Sequence, residues 1–248
     1  MAKLKRIITA GPLVAEAIYP APAPHDSEAV RRGKHSLTTA AQARMNLKYA
    51  YQKLEFEIAA NFGARDLFIT LTYADDRLPA GRKAANARVS QFVRRLRAER
   101  KKRGQELRYI YVTEHRHGDG RWHHHLLINS TGDDTDALSA CWPGGEVEMR
   151  RMRLDRDHTY EALARYLTKE LRDRVGQRLW SGSRNLRKPE RERFYVPDDT
   201  PLQIPQGCTE LVTHREHTAY GSFQYIKYLS RGWETGQASR SRARRRRR

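Results

Sequence analysis

The densest concentration of chemically competent side chains runs from Glu114 to His125, in the order Glu-His-Arg-His-Gly-Asp-Gly-Arg-Trp-His-His-His. On a strand, side chains alternate between faces. His123 and His125 therefore project together, and His124 goes to the other side with Trp122 and Leu126. Two imidazoles on one strand face can ligate a single divalent metal. Glu114 ends the preceding strand and can bring a carboxylate to the same place. Two nitrogens, one carboxylate oxygen and open positions suit Mg²⁺ or Mn²⁺ engaging a phosphate, and zinc is left open. His115 and His117 fall in the intervening turn and read as substrate-contacting or merely exposed.

A second group is Tyr166-Leu167-Thr168-Lys169. On a helix Tyr166 and Lys169 share a face. A phenol is a poor nucleophile at its free pKa near 10, and a neighbouring ammonium favours the phenolate. Tyr160 precedes this pair by six residues and points to nearly the opposite side, so it is not a second nucleophile. Cys141 and Cys208 are isolated, with no CxxC, which argues against a zinc ribbon or a disulfide framework and for inert thiols in a cytosolic protein.

The elements that must position these groups follow from periodicity. Leu37, Ala40, Leu47, Tyr51, Leu54 and Ile58 predict an amphipathic helix over residues 36–61. Leu67 to Tyr73 (LFITLTY) is β-branched and aromatic and reads as a buried strand. Val89, Phe92, Val93 and Leu96 make the apolar face of a helix over 82–103, ended by Gly104. Strands follow at Leu107 to Thr113 and Trp122 to Asn129, joined by a turn carrying Gly118, Asp119 and Gly120. A short helix is expected from Asp133 to Cys141, a strand from Glu146 to Met152, and a helix from Asp157 to Val175, capped near Asp157. The order β-α-β-β-α-β predicts an α+β fold of the split βαβ, ferredoxin-like or RRM-like kind, a central antiparallel sheet with helices mainly on one face. Residues 181–206 read as loop, and Glu210 to Thr218 with Ser222 to Leu229 as a further hairpin.

Charge supplies the partner. The 248 residues carry 48 Lys and Arg against 29 Asp and Glu, a net charge of +19. Seven of those positive charges lie between Arg240 and Arg248, so the remainder, at +12, is still strongly basic. Such a balance points to a polyanion, since clustered cations gain affinity by displacing counterions from phosphates. In helix 82–103 only Glu99 opposes the basic residues between Arg88 and Arg103. Arg88, Arg94, Arg95 and Arg97 are therefore candidate DNA contacts, as are Arg172, Arg184, Arg187 and Lys188 beyond Tyr166. No apolar run reaches the roughly 20 residues that cross a bilayer. Gly11 and Pro12 interrupt the apolar stretch near the N-terminus, which argues against a signal peptide. Pro20, Pro22 and Pro24 give residues 1–35 the look of a flexible, extended arm, leaving a single domain over 36–235 and a disordered Arg-rich tail over 236–248.

Three stretches, taken in order, resemble the HUH endonucleases, specifically the rolling-circle replication initiators of bacterial plasmids and single-stranded DNA phages. They are Phe68-Ile-Thr-Leu-Thr-Tyr73, Gly120-Arg-Trp-His-His-His-Leu-Leu-Ile128 and Tyr166-Leu-Thr-Lys169. Ser183-Arg-Asn-Leu-Arg-Lys-Pro189 also looks like a segment these initiators carry. The family places a hydrophobic residue between its two histidines where this chain has His124; strand alternation selects His123 and His125. The resemblance implies that Glu114, His123 and His125 hold a divalent cation polarising the scissile phosphate of an origin hairpin. It further implies that Tyr166 attacks to give a 5′-phosphotyrosine link and a free 3′-hydroxyl primer, with Lys169 stabilising charge. One tyrosine suits initiators that rejoin strands through a second subunit, hence a homodimer, or through a water. The chain has no GxxxxGK[ST], so a host helicase and polymerase are expected partners. Relaxases, whose tyrosine is N-terminal, and the shorter tyrosine transposases fit less well. Two competing readings are a non-catalytic basic nucleic-acid-binding protein and a zinc hydrolase using His123 and His125. The second leaves Tyr166 and Lys169 unexplained.

Overall fold

A computed structural model describes residues 3–21, 40–115, 121–169, 179–218 and 221–233. The chain divides into two compact units, Ala50–Arg187 and a unit formed by Met1–Tyr49 with Lys188–Arg248. This replaces the expected single domain over 36–235. The expectations for residues 22–39, the turn at 116–120, the helix end at 170–175 and the tail lie outside the described residues.

The elements, in chain order, are β1 (Lys3–Ala10), β2 (Leu13–Pro20), α1 (Ala40–Asn61), β3 (Leu67–Leu71), α2 (Arg82–Lys102), β4 (Tyr109–His115) and β5 (Trp122–Ile128). After these come α3 (Asp134–Cys141), β6 (Val147–Arg151), α4 (Glu161–Leu167), β7 (Ser181–Gly182), β8 (Glu190–Val196), β9 (Thr209–Thr218) and β10 (Gly221–Leu229). The unit spanning 50–187 holds an antiparallel sheet in the order β6-β3-β5-β4-β7. With α2 and α3 as the crossovers, β3-α2-β4-β5-α3-β6 is the expected split βαβ arrangement in an α+β fold.

Both faces of this sheet are packed, whereas the sequence pattern places helices mainly on one. On one face Val89, Phe92, Val93 and Leu96 of α2 and Leu138 and Cys141 of α3 cover Leu67, Ile69, Leu71, Leu126 and Ile128. On the other, Tyr51, Leu54 and Ile58 of α1 and Ala164 and Leu167 of α4 pack with Phe68, Ile110, Val112 and Leu127. The alternation of β3, β4 and β5 demands this, since all five residues of β3 are buried and a strand apolar on both sides needs two covers. Each fully buried Leu, Ile or Phe contributes about 1.5–3 kcal/mol.

Local chemistry sets the boundaries. Gly104, at a φ of 66°, ends α2. Its N–H bonds to Lys101 O at 3.1 Å and that of Gln105 to Arg100 O at 2.8 Å, the paired closure of a Schellman motif. The start of α4 is organised by Asp155 rather than Asp157. Its carboxylate accepts from the Thr159 hydroxyl at 2.8 Å and from the Ala162 N–H at 3.2 Å. Gly145 lies so close to the end of β3 that a Cβ there would meet Thr72 O at 2.5 Å.

The second unit contains an antiparallel sheet in the order β8-β1-β2-β10-β9. Two expectations fail here. Residues 3–20 form a hairpin instead of a flexible arm: Gly11 takes a φ of 57° and turns the chain between β1 and β2, which pair along their whole length. The stretch 181–206 contains β7 and β8; β8 hides in the sequence because its Glu-Arg-Glu-Arg start alternates in charge sign and has no apolar face. Val14, Ile18, Leu202, Ile226 and Tyr228 form a core on one face of this sheet.

Candidate active site

β4 and β5 pair so that Glu114 lies directly opposite His123 and Val112 opposite His125, and β3 sets Thr70 opposite His125 from the other side. Alternation then puts Glu114, His123, His125, Thr70 and Phe68 on one face, the face packed by α1 and α4. α4 delivers Tyr166 to this face and the turn after it delivers Lys169.

His125 is the hub. Its Nε2 lies 2.9 Å from Glu114 Oε2 and 3.2 Å from the Tyr166 hydroxyl, and its Nδ1 lies 3.3 Å from Thr70 Oγ1. Its ring stacks on Phe68, with centroids 5.5 Å apart and planes 22° apart. The other oxygen of Glu114 takes an ion pair from Lys169 Nζ at 2.7 Å. The same ammonium sits 4.0 Å from the centre of the Tyr166 ring. Burial alone would raise the Glu114 pKa, but the hydrogen bonds from His125 and Lys169 outweigh it and hold the carboxyl at about 2. Burial would lower that of Lys169, but Glu114 outweighs it and raises the pKa. Glu114 is thus a carboxylate and Lys169 an ammonium at neutral pH. An ionised Glu114 only accepts, so His125 Nε2 carries a proton in this arrangement. The Tyr166 side chain is 41% exposed.

His124 takes the opposite face, as alternation requires. It is fully buried, with Nε2 2.7 Å from the Tyr73 hydroxyl and Nδ1 3.0 Å from Thr113 Oγ1. Burial, and secondarily the neighbouring histidines, push its pKa down to about 3, so it is a neutral core side chain. Burial likewise pushes Tyr160 up to about 12. His115 lies against Trp122, with ring centroids 4.4 Å apart, and His117 lies outside the described residues.

Among the described residues, no three His, Cys, Asp or Glu side chains are drawn together as a ready-made metal cluster. The donor chemistry nonetheless fits a divalent cation: one carboxylate and two imidazoles share a face, with Glu114 and His123 directly opposed. Coordination through His125 Nε2 would require that nitrogen to be free of its proton, with Thr70 Oγ1 able to accept a hydrogen bond from a protonated Nδ1. Lys169 would also have to yield Glu114.

The candidate DNA contacts are spread more widely. α2 packs on the sheet face opposite Tyr166, and Arg88, Arg94, Arg95 and Arg97 are carried there with it. Arg88 lies over the Tyr73 ring at 5.4 Å and Arg97 over Tyr109 at 5.7 Å. Arg100, part of the same charge run, is no surface cation. It is 2% exposed and pairs with Asp134 at 2.8 Å, because it continues the ridge of Val89, Val93 and Leu96 into the core. Arg184 and Arg187 are exposed on a segment pinned to the sheet edge through Ser183 and Asn185. Lys188 is exposed in the other unit, and Arg172 lies outside the described residues. Sequence reasoning missed Arg150, whose guanidinium lies 5.0 Å over the Phe68 ring on the Tyr166 face. Its signal is the same alternation, since Arg150 is the direct partner of Phe68 in β6.

Residues 66–171 match the family model of the replication-associated protein ORF2. That span contains Glu114, His123, His125, Tyr166 and Lys169, and the match supports a replication-initiator family and a role in DNA replication. No curated protein and no solved structure shows a significant match. No helix among the described residues is long and apolar enough to cross a membrane.

Proposed function

We propose that the chain is a replication initiator that nicks single-stranded origin DNA through Tyr166. The observation that carries this reading is the convergence of the Tyr166 hydroxyl, His125 Nε2 at 3.2 Å and the Lys169–Glu114 ion pair on one sheet face. Glu114, His123 and His125 would hold Mg²⁺ or Mn²⁺, which when bound withdraws charge from a phosphate oxygen as a Lewis acid. Tyr166 Oη attacks the phosphorus and the bond to the 3′-oxygen breaks. The phenolic proton passes to solvent, and the departing oxygen takes a proton from water to become a 3′-hydroxyl. The products are a 5′-phosphotyrosine and a primer end that a host polymerase would extend; rejoining is the reverse transfer. Lys169, against the Tyr166 ring, stabilises negative charge on the oxygen as the proton leaves. Phe68 and Thr70 fix the imidazole of His125.

The test is to incubate the protein with origin-bearing single strands and Mn²⁺. The parent protein should form a covalent DNA adduct that maps to Tyr166 by peptide mass spectrometry, and Tyr166→Phe should form none. An adduct on Tyr166→Phe protein would overturn the assignment. A second reading, a non-catalytic DNA-binding protein, is favoured by Glu114 being already neutralised by Lys169 and His125. Salt-dependent binding that ignores EDTA, with no cleavage of any strand, would select it.

A further inference from the structure

The second sheet lies outside the span matched by the replication-associated family, and three of its strands sort their charges by face. The registers of β8, β1 and β2 define rows that cross three strands. Tyr195, Leu4 and Tyr19 form one row; Arg193, Arg6 and Ala17 the next; Arg191, Ile8 and Ala15 the third. These alternate with rows that project to the opposite face: Phe194, Lys5 and Ile18, then Glu192, Ile7 and Glu16, then Glu190, Thr9 and Val14. Every acidic residue of the three strands therefore points to one side, with Lys3 and Lys5. There Lys5 pairs with Glu16 at 2.7 Å and Lys3 with Asp198 at 3.3 Å. On these three strands the other side carries three arginines and no acid, beside the buried Leu4, Ala15 and Ala17; Glu216 of β9 also projects to this side, two strands beyond β2.

Arg6 and Arg193 are direct cross-strand partners. Like charges opposed in this way destabilise a strand pair, so sheet stability does not account for them. All three guanidiniums are exposed. Beside them Tyr195, at 71% exposure, is the most exposed of the large hydrophobic side chains among the described residues. Guanidiniums spaced along an edge strand next to an open aromatic ring match a phosphate backbone with an unpaired base stacked on the ring.

We propose that Arg6, Arg191, Arg193 and Tyr195 form a single-stranded-DNA-binding face on the second sheet, distinct from the nicking residues. The arginines take phosphates, and Tyr195 stacks on a base and so prefers single strands to duplex. This does not depend on the cleavage chemistry.

The experiment uses the full chain carrying Tyr166→Phe, in EDTA, with a labelled oligothymidylate strand, so that no covalent capture contributes. Affinity is measured as a function of salt. Replacing Arg6 and Arg193 together by Gln should make the slope of log K against log salt shallower by about 1.4, at about 0.7 per phosphate contact on a single strand. Tyr195→Ala should weaken binding roughly tenfold. Arg193→Glu, which faces Arg6 with an opposite charge, should weaken binding while leaving the thermal midpoint unchanged or raised. An unchanged salt slope in the double variant, unchanged single-strand affinity in Tyr195→Ala, or a lowered midpoint in Arg193→Glu would overturn the proposal. Because the nucleophile is absent throughout, such a failure leaves the adduct test untouched, and a failed adduct test leaves this one standing.

Discussion

The Thr70 hydroxyl lies 3.3 Å from His125 Nδ1 and can either donate to it or accept from it, so it can serve the imidazole whichever nitrogen carries the proton. Thr70→Val keeps the shape and removes that choice. It should slow adduct formation about 10–100-fold at saturating Mn²⁺, with Thr70→Ser restoring most of the rate. His124 behaves in the opposite way. Its imidazole satisfies the Tyr73 and Thr113 hydroxyls, so His124→Leu should cost about 2 kcal/mol of stability in urea unfolding while adduct formation persists. The separation of these three histidines was legible in the sequence, since a strand period of two allows no other sorting of His123, His124 and His125. The Thr70 contact was not, because it depends on the register between β3 and β5, which are far apart in the chain. Lys169 was legible as a neighbour of Tyr166, but its bridge to Glu114 depends on where α4 docks.

Helix α2 is tied to α3 by the buried Arg100–Asp134 pair at 2.8 Å. Burial would raise the Asp134 pKa, but hydrogen bonds from Thr131 and Ser130 and the charge of Arg100 outweigh it and hold the carboxyl below its ordinary value. The folded state therefore binds this proton less readily than the unfolded state. The stabilisation is complete above the unfolded pKa near 3.9 and is lost as pH falls through the lower folded value. Asp134→Asn should cost about 3 kcal/mol at pH 7, because a buried guanidinium is left without its partner. The deficit should shrink on moving to pH 3, which urea unfolding at the two values would show. The termination of α2 gives a smaller effect: Gly104→Ala should cost about 1 kcal/mol, since a Cβ is strained at a φ of 66°. Most of the elements around the candidate site could be read from their periods. α2 itself was legible, but Arg100 read as part of its charged face, and its place in the core shows only in the packed structure. β8 was not legible, since its alternation is of charge sign and only the paired sheet shows that this matters.

Net charge was a poor guide to where the basic side chains lie relative to Tyr166. The arginines of α2 lie across the sheet from Tyr166, while Arg150 lies on its side. Removing residues 240–248 lowers the charge from +19 to +12. It should make the salt slope of single-strand binding shallower by up to about 5 while leaving adduct formation at low salt intact. The division into two units was hidden because β1 and β2, besides pairing with each other, pair only with β8 and β10, far along the chain. That connectivity has a consequence for synthesis. The unit over 50–187 is contiguous and can fold as soon as it clears the ribosome, whereas the β1–β2 hairpin emerges first and must wait for β8 and β10. At about 5–20 residues per second the delay is on the order of 10–30 s, during which both long edges of a nascent hairpin are open to pairing. The first strands made are the last to be completed, so nascent chains halted before β8 should be captured by holdase chaperones through residues 3–20.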